Sequence, residues 1–196
     1  MTARRPSSPG RNARLLMSGG LLRIFRLGVL ITGDSGVGKS ESALELIARG
    51  HAFVTDDTVE VRRLPGGGLL GSPPALGRHF MEVRGLGIIN IKEIFGRRAI
   101  RESSPIDLVI VLRHWTPRRS GDRLGLRAPQ ERRVLGVRLP QISLPVAPGR
   151  NIATLIEVAC KVHTLRQKGY HASREIVSHL HRVLAEGTEK KWRRHA

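Results

Sequence analysis

The sequence predicts an α/β domain with a central, mainly β sheet and with most of its helix at the C-terminal end. Three observations support this prediction: a strand, a glycine-rich turn and a helix follow one another over residues 27–50, strand patterns fill the middle of the chain, and two helical patterns close it. With 196 residues, 40% of them hydrophobic, the chain is large enough for one domain with a core of its own.

The first elements are two short strands, a turn and a helix. GLLRIFR at residues 20–26 and LGVLIT at residues 27–32 have the apolar, branched composition of strands. The helix after the turn carries an apolar stripe, and Gly50 stands where a C-terminal cap belongs. HAFVT at residues 51–55 then predicts a short strand, and two acids follow it directly.

Strand patterns recur along the middle of the chain. They lie in VEVRRL and at residues 108–112, 133–137 and 141–144. Two amphipathic helices follow, the first capped by Asn151 and the second, which ends before Gly187, capped by Ser173.

The two ends of the chain are basic and differ in composition from the rest. Residues 1–17 mix proline, serine, glycine and arginine, which predicts disorder, and residues 188–196 form a basic tail. We therefore expect the folded domain to cover residues 18–187.

The formal net charge of +18 fits several partners: nucleic acid, acidic lipid, an anionic substrate, or an arginine-rich proteome. Aromatic residues are only 4% of the chain and do not alternate with the basic ones, so the sequence predicts no specific nucleic-acid binding.

The sequence predicts a cytoplasmic protein. It has no apolar run of about 18 residues that could span a membrane and no signal-peptide core. The single cysteine, Cys160, lies in the apolar stripe of a predicted helix, which predicts a small buried hydrophobe rather than a catalytic thiol.

The segment ITGDSGVGKSE at residues 31–41 matches the phosphate-loop pattern Gly-x-x-x-x-Gly-Lys-Ser. An ordinary glycine-rich turn is the alternative, but the strand before it and the helix after it are what phosphate binding requires, because the loop and helix N–H groups converge on an anion. Lys39 then reaches the β- and γ-phosphates, and the Ser40 hydroxyl ligates Mg²⁺. The predicted nucleotide contacts are Gly33, Asp34, Ser35, Gly36, Val37, Gly38, Lys39 and Ser40.

Two adjacent acids, Asp56 and Asp57, follow the strand AFVT. Ligands of open α/β sheets gather beyond the carboxyl ends of strands, so we expect the pair to lie at the site. One carboxylate could hold Mg²⁺ while the other takes the proton of an attacking hydroxyl. A polar loop start is the alternative interpretation.

Two further candidates are charged residues. Glu82 begins EVRGLGIIN, whose glycines at positions 85 and 87 indicate backbone pressed against a neighbour, although a strand with a bulge explains them equally well. Arg123 in GDRLG is a candidate for stabilising charge on a transferring phosphoryl group.

The segments GVLITGDSGVGKSESALELIARGH, VTDD and MEVRGLGIINI together resemble the HPr kinase/phosphorylase family, from about residue 19 to residue 180. The resemblance implies a P-loop-containing catalytic domain that uses ATP and Mg²⁺ to phosphorylate a regulatory serine of the phosphocarrier protein HPr, in control of carbon metabolism. It also implies the reverse reaction, in which inorganic phosphate removes the phosphoryl group as pyrophosphate. The implied assembly is a homohexamer in which a neighbour's C-terminal region helps to bind HPr.

The resemblance also implies roles for individual residues. Lys39 is the phosphate contact, and Ser40 and Glu82 hold Mg²⁺. Asp57, with Asp56 beside it, is the base that deprotonates serine and the acid of the reverse reaction. By the same resemblance, the catalytic arginine is Arg123 and the loop linked to dephosphorylation is residues 144–151.

Two departures from the family pattern bear on activity. The family has an additional N-terminal domain, so we expect a short form or a truncated chain. The family segment HGVLVDIYGLGVLI appears here as SGGLLRIFRLGVLI, which replaces the histidine by Ser18, the acid by Arg23 and a glycine by Arg26. Loss of the histidine predicts reduced or one-directional activity. The alternatives are a P-loop kinase for a small molecule and a nucleotide-binding regulatory protein without turnover.

Overall fold

A computed structural model of the chain describes residues 13–115 and 130–192, with side chains described up to residue 184. Within these residues the chain forms two compact units. The first holds residues 13–115 and 130–160, and the second begins at residue 161.

Strands make up most of the first unit, and the longer helices lie toward the C-terminal end of the chain. The strands are β1 (Arg14–Ser18), β2 (Gly20–Ile24), β3 (Leu27–Gly33), β4 (Ala52–Thr55), β5 (Thr58–Arg63), β6 (Leu69–Ser72), β7 (Phe80–Val83), β8 (Gly87–Asn90), β9 (Ser104–Pro105), β10 (Leu108–His114), β11 (Gln130–Val134) and β12 (Val137–Val146). The helices are α1 (Lys39–Ala48), α2 (Ile91–Phe95), α3 (Ile152–Gln167) and α4 (Ala172–Trp192), and short 3₁₀ turns lie at Ala75–Gly77 and Arg97–Ala99.

A six-stranded sheet in the order β11-β12-β10-β3-β2-β4 is the centre of the first unit. Strand β10 is parallel to both β3 and β12, so these three strands end at one edge, where Gly33 pairs with Leu112 and Leu112 with Leu144. Loops that leave this carboxyl edge are well placed to share a ligand. The arrangement confirms the predicted α/β fold with a central, mainly β sheet and C-terminal helices.

The two faces of β3 pack into separate apolar clusters. Val29 and Ile31 belong to a cluster with α1 and the first part of α3, whereas Leu30 belongs to one with the four-stranded sheet β1-β5-β6-β9. A strand buried on both faces reads as a continuous apolar run, as this one does. Cys160 is fully buried in the first cluster, and burial raises the pKa of its thiol to about 12, which confirms the predicted small buried hydrophobe.

Helix α1 is tied to the start of α3 by polar side chains. Arg49, directly after α1, donates to Glu45 at 2.6 Å and to Glu157 at 2.6 Å. Asn151 accepts from the N–H of Thr154 at 2.7 Å, which confirms it as the cap of α3. These contacts fix the helix that follows the phosphate loop.

Three element boundaries differ from the sequence predictions. Strand β1 begins at Arg14, inside the segment predicted to be disordered, because it pairs with β5. The predicted strand at residues 133–137 is interrupted by a turn at Leu135 and Gly136. Their φ values of 47° and 79° are not those of a strand, so β11 ends before them and β12 begins after them. Helix α4 starts at Ala172, one residue before its predicted cap, and continues past Gly187 into the predicted tail.

None of the helices in the described part of the chain combines the length and the apolar character needed to cross a membrane.

The segment EVRGLGIIN is a hairpin of β7 and β8 rather than one strand with a bulge. Gly85 and Gly87 have φ values of 88° and 80°, and nothing lies within 4 Å of a Cβ built on either. The expectation of close backbone packing is therefore wrong at these two glycines. Glycine is needed because the turn requires a left-handed backbone.

Candidate active site

The phosphate loop (residues 33–40) connects the carboxyl end of β3 to the start of α1. Gly36 and Gly38 have φ values of 75° and 94°, which favour glycine because it has no Cβ. A Cβ on Gly33 would lie 2.4 Å from the Leu112 carbonyl oxygen, so the neighbouring strand also requires glycine there. These glycines let the loop turn tightly over the edge of the sheet.

The Lys39 side chain lies against the first residues of this loop. Its Nζ donates to the carbonyl oxygens of Gly33 at 3.1 Å and Asp34 at 2.9 Å. The ammonium group is thus held against the loop that the sequence predicts to bind phosphate. A cation at this position can neutralise β- and γ-phosphate oxygens.

Asp56 is the acid that the structure places against the loop. The Ser40 hydroxyl donates to its carboxylate, and Lys39 lies close enough to act on its charge. Burial raises the pKa of Asp56, and the hydrogen bonds from Ser40 and from the N–H of Asp57 partly offset this rise. Its Oδ1 lies 3.2 Å from the position of a Cβ on Gly20, so the carboxylate rests on the backbone of β2.

Asp57 has a different environment from its neighbour. It is exposed, and its φ of 62° is in the left-handed region that side chains rarely adopt. Its carbonyl oxygen accepts from the N–H of Gly19 at 2.9 Å. The two acids therefore separate into a half-buried carboxylate bound to Ser40 and an exposed carboxylate beside it.

The donor set fits a nucleotide with its Mg²⁺. A hydroxyl and one carboxylate, Ser40 and Asp56, stand together beside Lys39, and Mg²⁺ ordinarily takes one or two carboxylates and fills its remaining positions with phosphate and water oxygens. Within the described residues, no group of three or more His, Cys, Asp and Glu side chains could hold a metal ion. With Ser40 and Asp56 as its protein ligands, the ion would take its remaining ligands from phosphate and water oxygens.

The hairpin of β7 and β8 packs against the phosphate loop and brings one arginine to it. Met81 and Val83 are buried in the same cluster as Val37 of the loop, whereas Glu82, between them, is exposed on the other face of β7. Arg84 follows, and its Nη2 lies 4.0 Å from the position of a Cβ on Gly36. The sequence singled out Glu82 but missed Arg84, because one arginine among so many carries no local signal.

The segment at residues 144–151 leaves the same edge of the sheet as the phosphate loop. It contains the end of β12, a turn in which Arg150 Nη1 donates to the Pro145 carbonyl at 3.0 Å, and the cap of α3. Asn151 Nδ2 donates to Glu45 of α1 at 2.7 Å. The predicted dephosphorylation loop thus lies beside the helix that carries Lys39, while Arg123 lies outside the described residues.

The three departures from the family pattern lie at two different places. Ser18 ends β1 and precedes Gly19, which bonds to Asp57, so it lies beside the acid pair. Arg23 and Arg26 stand near the turn between β2 and β3, at the opposite end of β3 from the loop. Arg23 Nη1 donates to Ser104 at 3.3 Å. Ser18 therefore lies beside the acid pair, whereas Arg23 and Arg26 lie at the other end of β3.

A second arginine that the sequence did not single out is Arg132 of β11. Its Nη1 donates to Thr32 Oγ1 at 3.5 Å, and Thr32 directly precedes the phosphate loop. No local pattern could have revealed this contact, because 100 residues separate the two partners.

Comparison with known proteins agrees with this geometry. Residues 12–180 match the family described as HPr Serine kinase C-terminal domain. The HPr kinase/phosphorylase of Alkaliphilus metalliredigens is 44% identical over 176 residues, which are 90% of this chain and 57% of that protein. The HPr kinase/phosphorylase of Listeria monocytogenes serotype 4a is 44% identical over 172 residues, 88% of this chain and 55% of that protein.

A solved structure is also similar. The structure of the Hpr(Ser) kinase/phosphatase from Coxiella burnetii superimposes with a TM-score of 0.72 at 33% identity, covering 83% of this chain and 98% of that one. The chain spans 57% and 55% of the length of the two curated relatives named above. On this match of sequence, fold and loop, the chain belongs to the HPr Serine kinase C-terminal domain family.

Proposed function

We propose that the chain is a nucleotide- and Mg²⁺-dependent protein serine kinase/phosphorylase that acts on HPr. The observation that supports this most directly is the grouping of Lys39, Ser40 and Asp56 at the carboxyl edge of the sheet, within the part of the chain that matches the family. Relatives named HPr kinase/phosphorylase supply the substrate class.

The proposed forward reaction transfers the γ-phosphoryl group of ATP to a serine. The serine oxygen bonds to the γ-phosphorus, the bond from that phosphorus to the bridging oxygen of ADP breaks, and the serine proton passes to Asp57. The exposed position of Asp57 leaves it accessible to a protein substrate, whereas the Asp56 carboxylate is engaged with Ser40. Positioned proton transfer of this kind contributes about 10²–10⁴-fold in rate.

In the proposed reverse reaction an oxygen of inorganic phosphate bonds to the phosphorus of phosphoserine, the bond from that phosphorus to the serine oxygen breaks, pyrophosphate leaves, and the serine oxygen regains a proton. Asp57, which accepts the proton in the forward direction, is the proposed donor of this proton. We also expect the homohexamer implied by the family resemblance, which analytical ultracentrifugation would test.

The decisive experiment incubates the chain with γ-labelled ATP, Mg²⁺ and purified HPr, with HPr whose regulatory serine is replaced by alanine as the matched control. Label on HPr that the control lacks supports the kinase. Release of label as pyrophosphate on adding inorganic phosphate supports the phosphorylase. A chain that turns over ATP with a small molecule but leaves HPr unlabelled contradicts the assignment.

Substitutions at the two acids separate their proposed roles. Asp57→Asn should suppress both directions while sparing nucleotide affinity, because it removes the proton acceptor alone. Asp56→Asn should raise the Mg²⁺ concentration needed for half-maximal activity, because it alters the partner of Ser40. Normal rates in both directions for Asp57→Asn would transfer the proton role to Asp56.

A second candidate function is supported by Ser18. A serine at the end of β1, beside Asp57, lacks the charge and reach of an imidazole, which fits a regulatory protein that binds nucleotide without turnover. Nucleotide binding without any labelling of HPr in the same assay would favour this candidate.

A further inference from the structure

One face of the six-stranded sheet changes from apolar to polar just below the phosphate loop. Leu30, Val134 and Leu139 share the apolar cluster on this face. Because alternate residues of a strand face the same way, Thr32 lies on this face two residues after Leu30, and Arg132 lies there two residues before Val134. The cluster therefore ends in a hydroxyl and a guanidinium group at the carboxyl edge of β3.

Arg132 is a cation, but its hydrogen-bond partner is a neutral hydroxyl group rather than a carboxylate. It is half-buried, and its Nη1 donates to the buried Thr32 hydroxyl at 3.5 Å. Among residues 13–115 and 130–184, no carboxylate forms an ion pair with it. Removing a charged group from water is unfavourable unless it gains a charged or well-bonded partner, so this site favours an anionic ligand.

Thr32 also connects Arg132 to the segment that holds the acid pair. A Cβ on Gly19 would lie 3.1 Å from Thr32 Cγ2, and the N–H of Gly19 donates to the Asp57 carbonyl at 2.9 Å. Lys39 approaches the loop from the α1 side, where Nζ contacts the Gly33 carbonyl at 3.1 Å. Arg132 and Lys39 therefore approach the start of the loop from the two faces of the sheet.

We propose that Arg132 binds the phosphoryl group that is transferred, as the γ-phosphate of ATP in one direction and as the phosphate of phosphoserine in the other. This inference rests on the proposed kinase/phosphorylase function for the identity of the acceptor. The planar guanidinium group presents paired donors that match two non-bridging phosphate oxygens. In the transition state the non-bridging oxygens carry negative charge. A guanidinium group that binds them there stabilises this charge and so raises the rate of transfer.

The test compares dissociation constants of Mg·ATP and Mg·ADP for the wild type, Arg132→Gln, Arg132→Lys and Arg133→Gln. Arg133 is the matched control, because it is the exposed neighbour on the other face of β11. We expect Arg132→Gln to reduce the preference for ATP over ADP by about tenfold or more, the loss that one charged hydrogen bond produces. Arg132→Lys keeps the charge without the paired donors and should give a smaller reduction, and Arg133→Gln should give none.

The outcomes separate this inference from the proposed function. An unchanged ATP-to-ADP preference in both Arg132 variants, or an equal loss in Arg133→Gln, overturns the role of Arg132. A wild type that does not distinguish ATP from ADP also overturns it. If the preference depends on Arg132 while HPr is never labelled, the phosphate contact stands and the HPr kinase function fails. Where Arg132→Gln does not fold, as judged by circular dichroism, Arg132→Lys decides by the same ratio.

Discussion

Replacement of Arg26 by glycine should stabilise the fold. Arg26 is exposed, has a φ of 129°, and stands in the turn that joins β2 to β3. A side chain in a sparsely populated backbone region costs about 1–3 kcal/mol. Glycine removes this strain but adds about 0.5–1 kcal/mol of conformational freedom to the unfolded chain. We therefore expect Arg26→Gly to raise the free energy of unfolding by about 1 kcal/mol.

The assay is denaturant and thermal unfolding followed by circular dichroism. For a chain of this size, about 1 kcal/mol corresponds to a rise in Tm of about 2–4 °C. The control is Arg26→Ala, which removes the same charge and side-chain length but keeps the Cβ, and which should stay within about 0.5 kcal/mol of the wild type. Glycine and alanine variants of equal stability would refute the strain argument.

The same variant tests whether this departure from the family concerns folding alone. Arg26 and the phosphate loop lie at opposite ends of β3, a strand of 7 residues, which spans roughly 20 Å. Arg26→Gly should therefore leave the rate of HPr labelling unchanged at a temperature where both proteins are folded. A changed rate under these conditions would mean that the turn acts on the site.

The other predictions concern the site. Lys39→Ala should abolish phosphoryl transfer and weaken ATP binding, because it removes the cation beside the loop carbonyls; full activity would make the loop structural. Burial raises the pKa of Asp56, so this group stabilises the fold below its unfolded pKa and loses that contribution as the pH rises through its folded pKa. The difference in denaturant midpoint, Asp56→Asn minus wild type, should thus increase from acidic to neutral pH. A decrease in this difference would contradict the burial argument. Ser18→His should raise phosphate-dependent dephosphorylation of phospho-HPr more than its phosphorylation, measured as the ratio of the two rates; an unchanged ratio would exclude Ser18 from the site.

Local sequence was sufficient wherever neighbouring residues decide the structure. The apolar run of β3, the glycine turn and the stripe of α1 are contiguous, so residues 27–50 predict a strand, a phosphate loop and a helix that the structure contains. Asn151 was predicted as a cap because its partner, the N–H of Thr154, is three residues away. The acid pair was placed at a ligand edge because strand ends follow from the pattern of the strand itself.

Only the tertiary structure decided which of these groups meet. Asp56 and Asp57 are equivalent in sequence, but the register of β4 beside β2 buries one carboxylate against Ser40 and leaves the other exposed. Arg84 approaches Gly36 because the hairpin of β7 and β8 packs against the loop, and Arg132 contacts Thr32, the residue directly before the loop, from a strand that is distant in sequence. Side-chain identity and local periodicity do not predict a contact with a partner 100 residues away. That information arises only when strands pair, because pairing fixes which faces and which ends of the strands lie together.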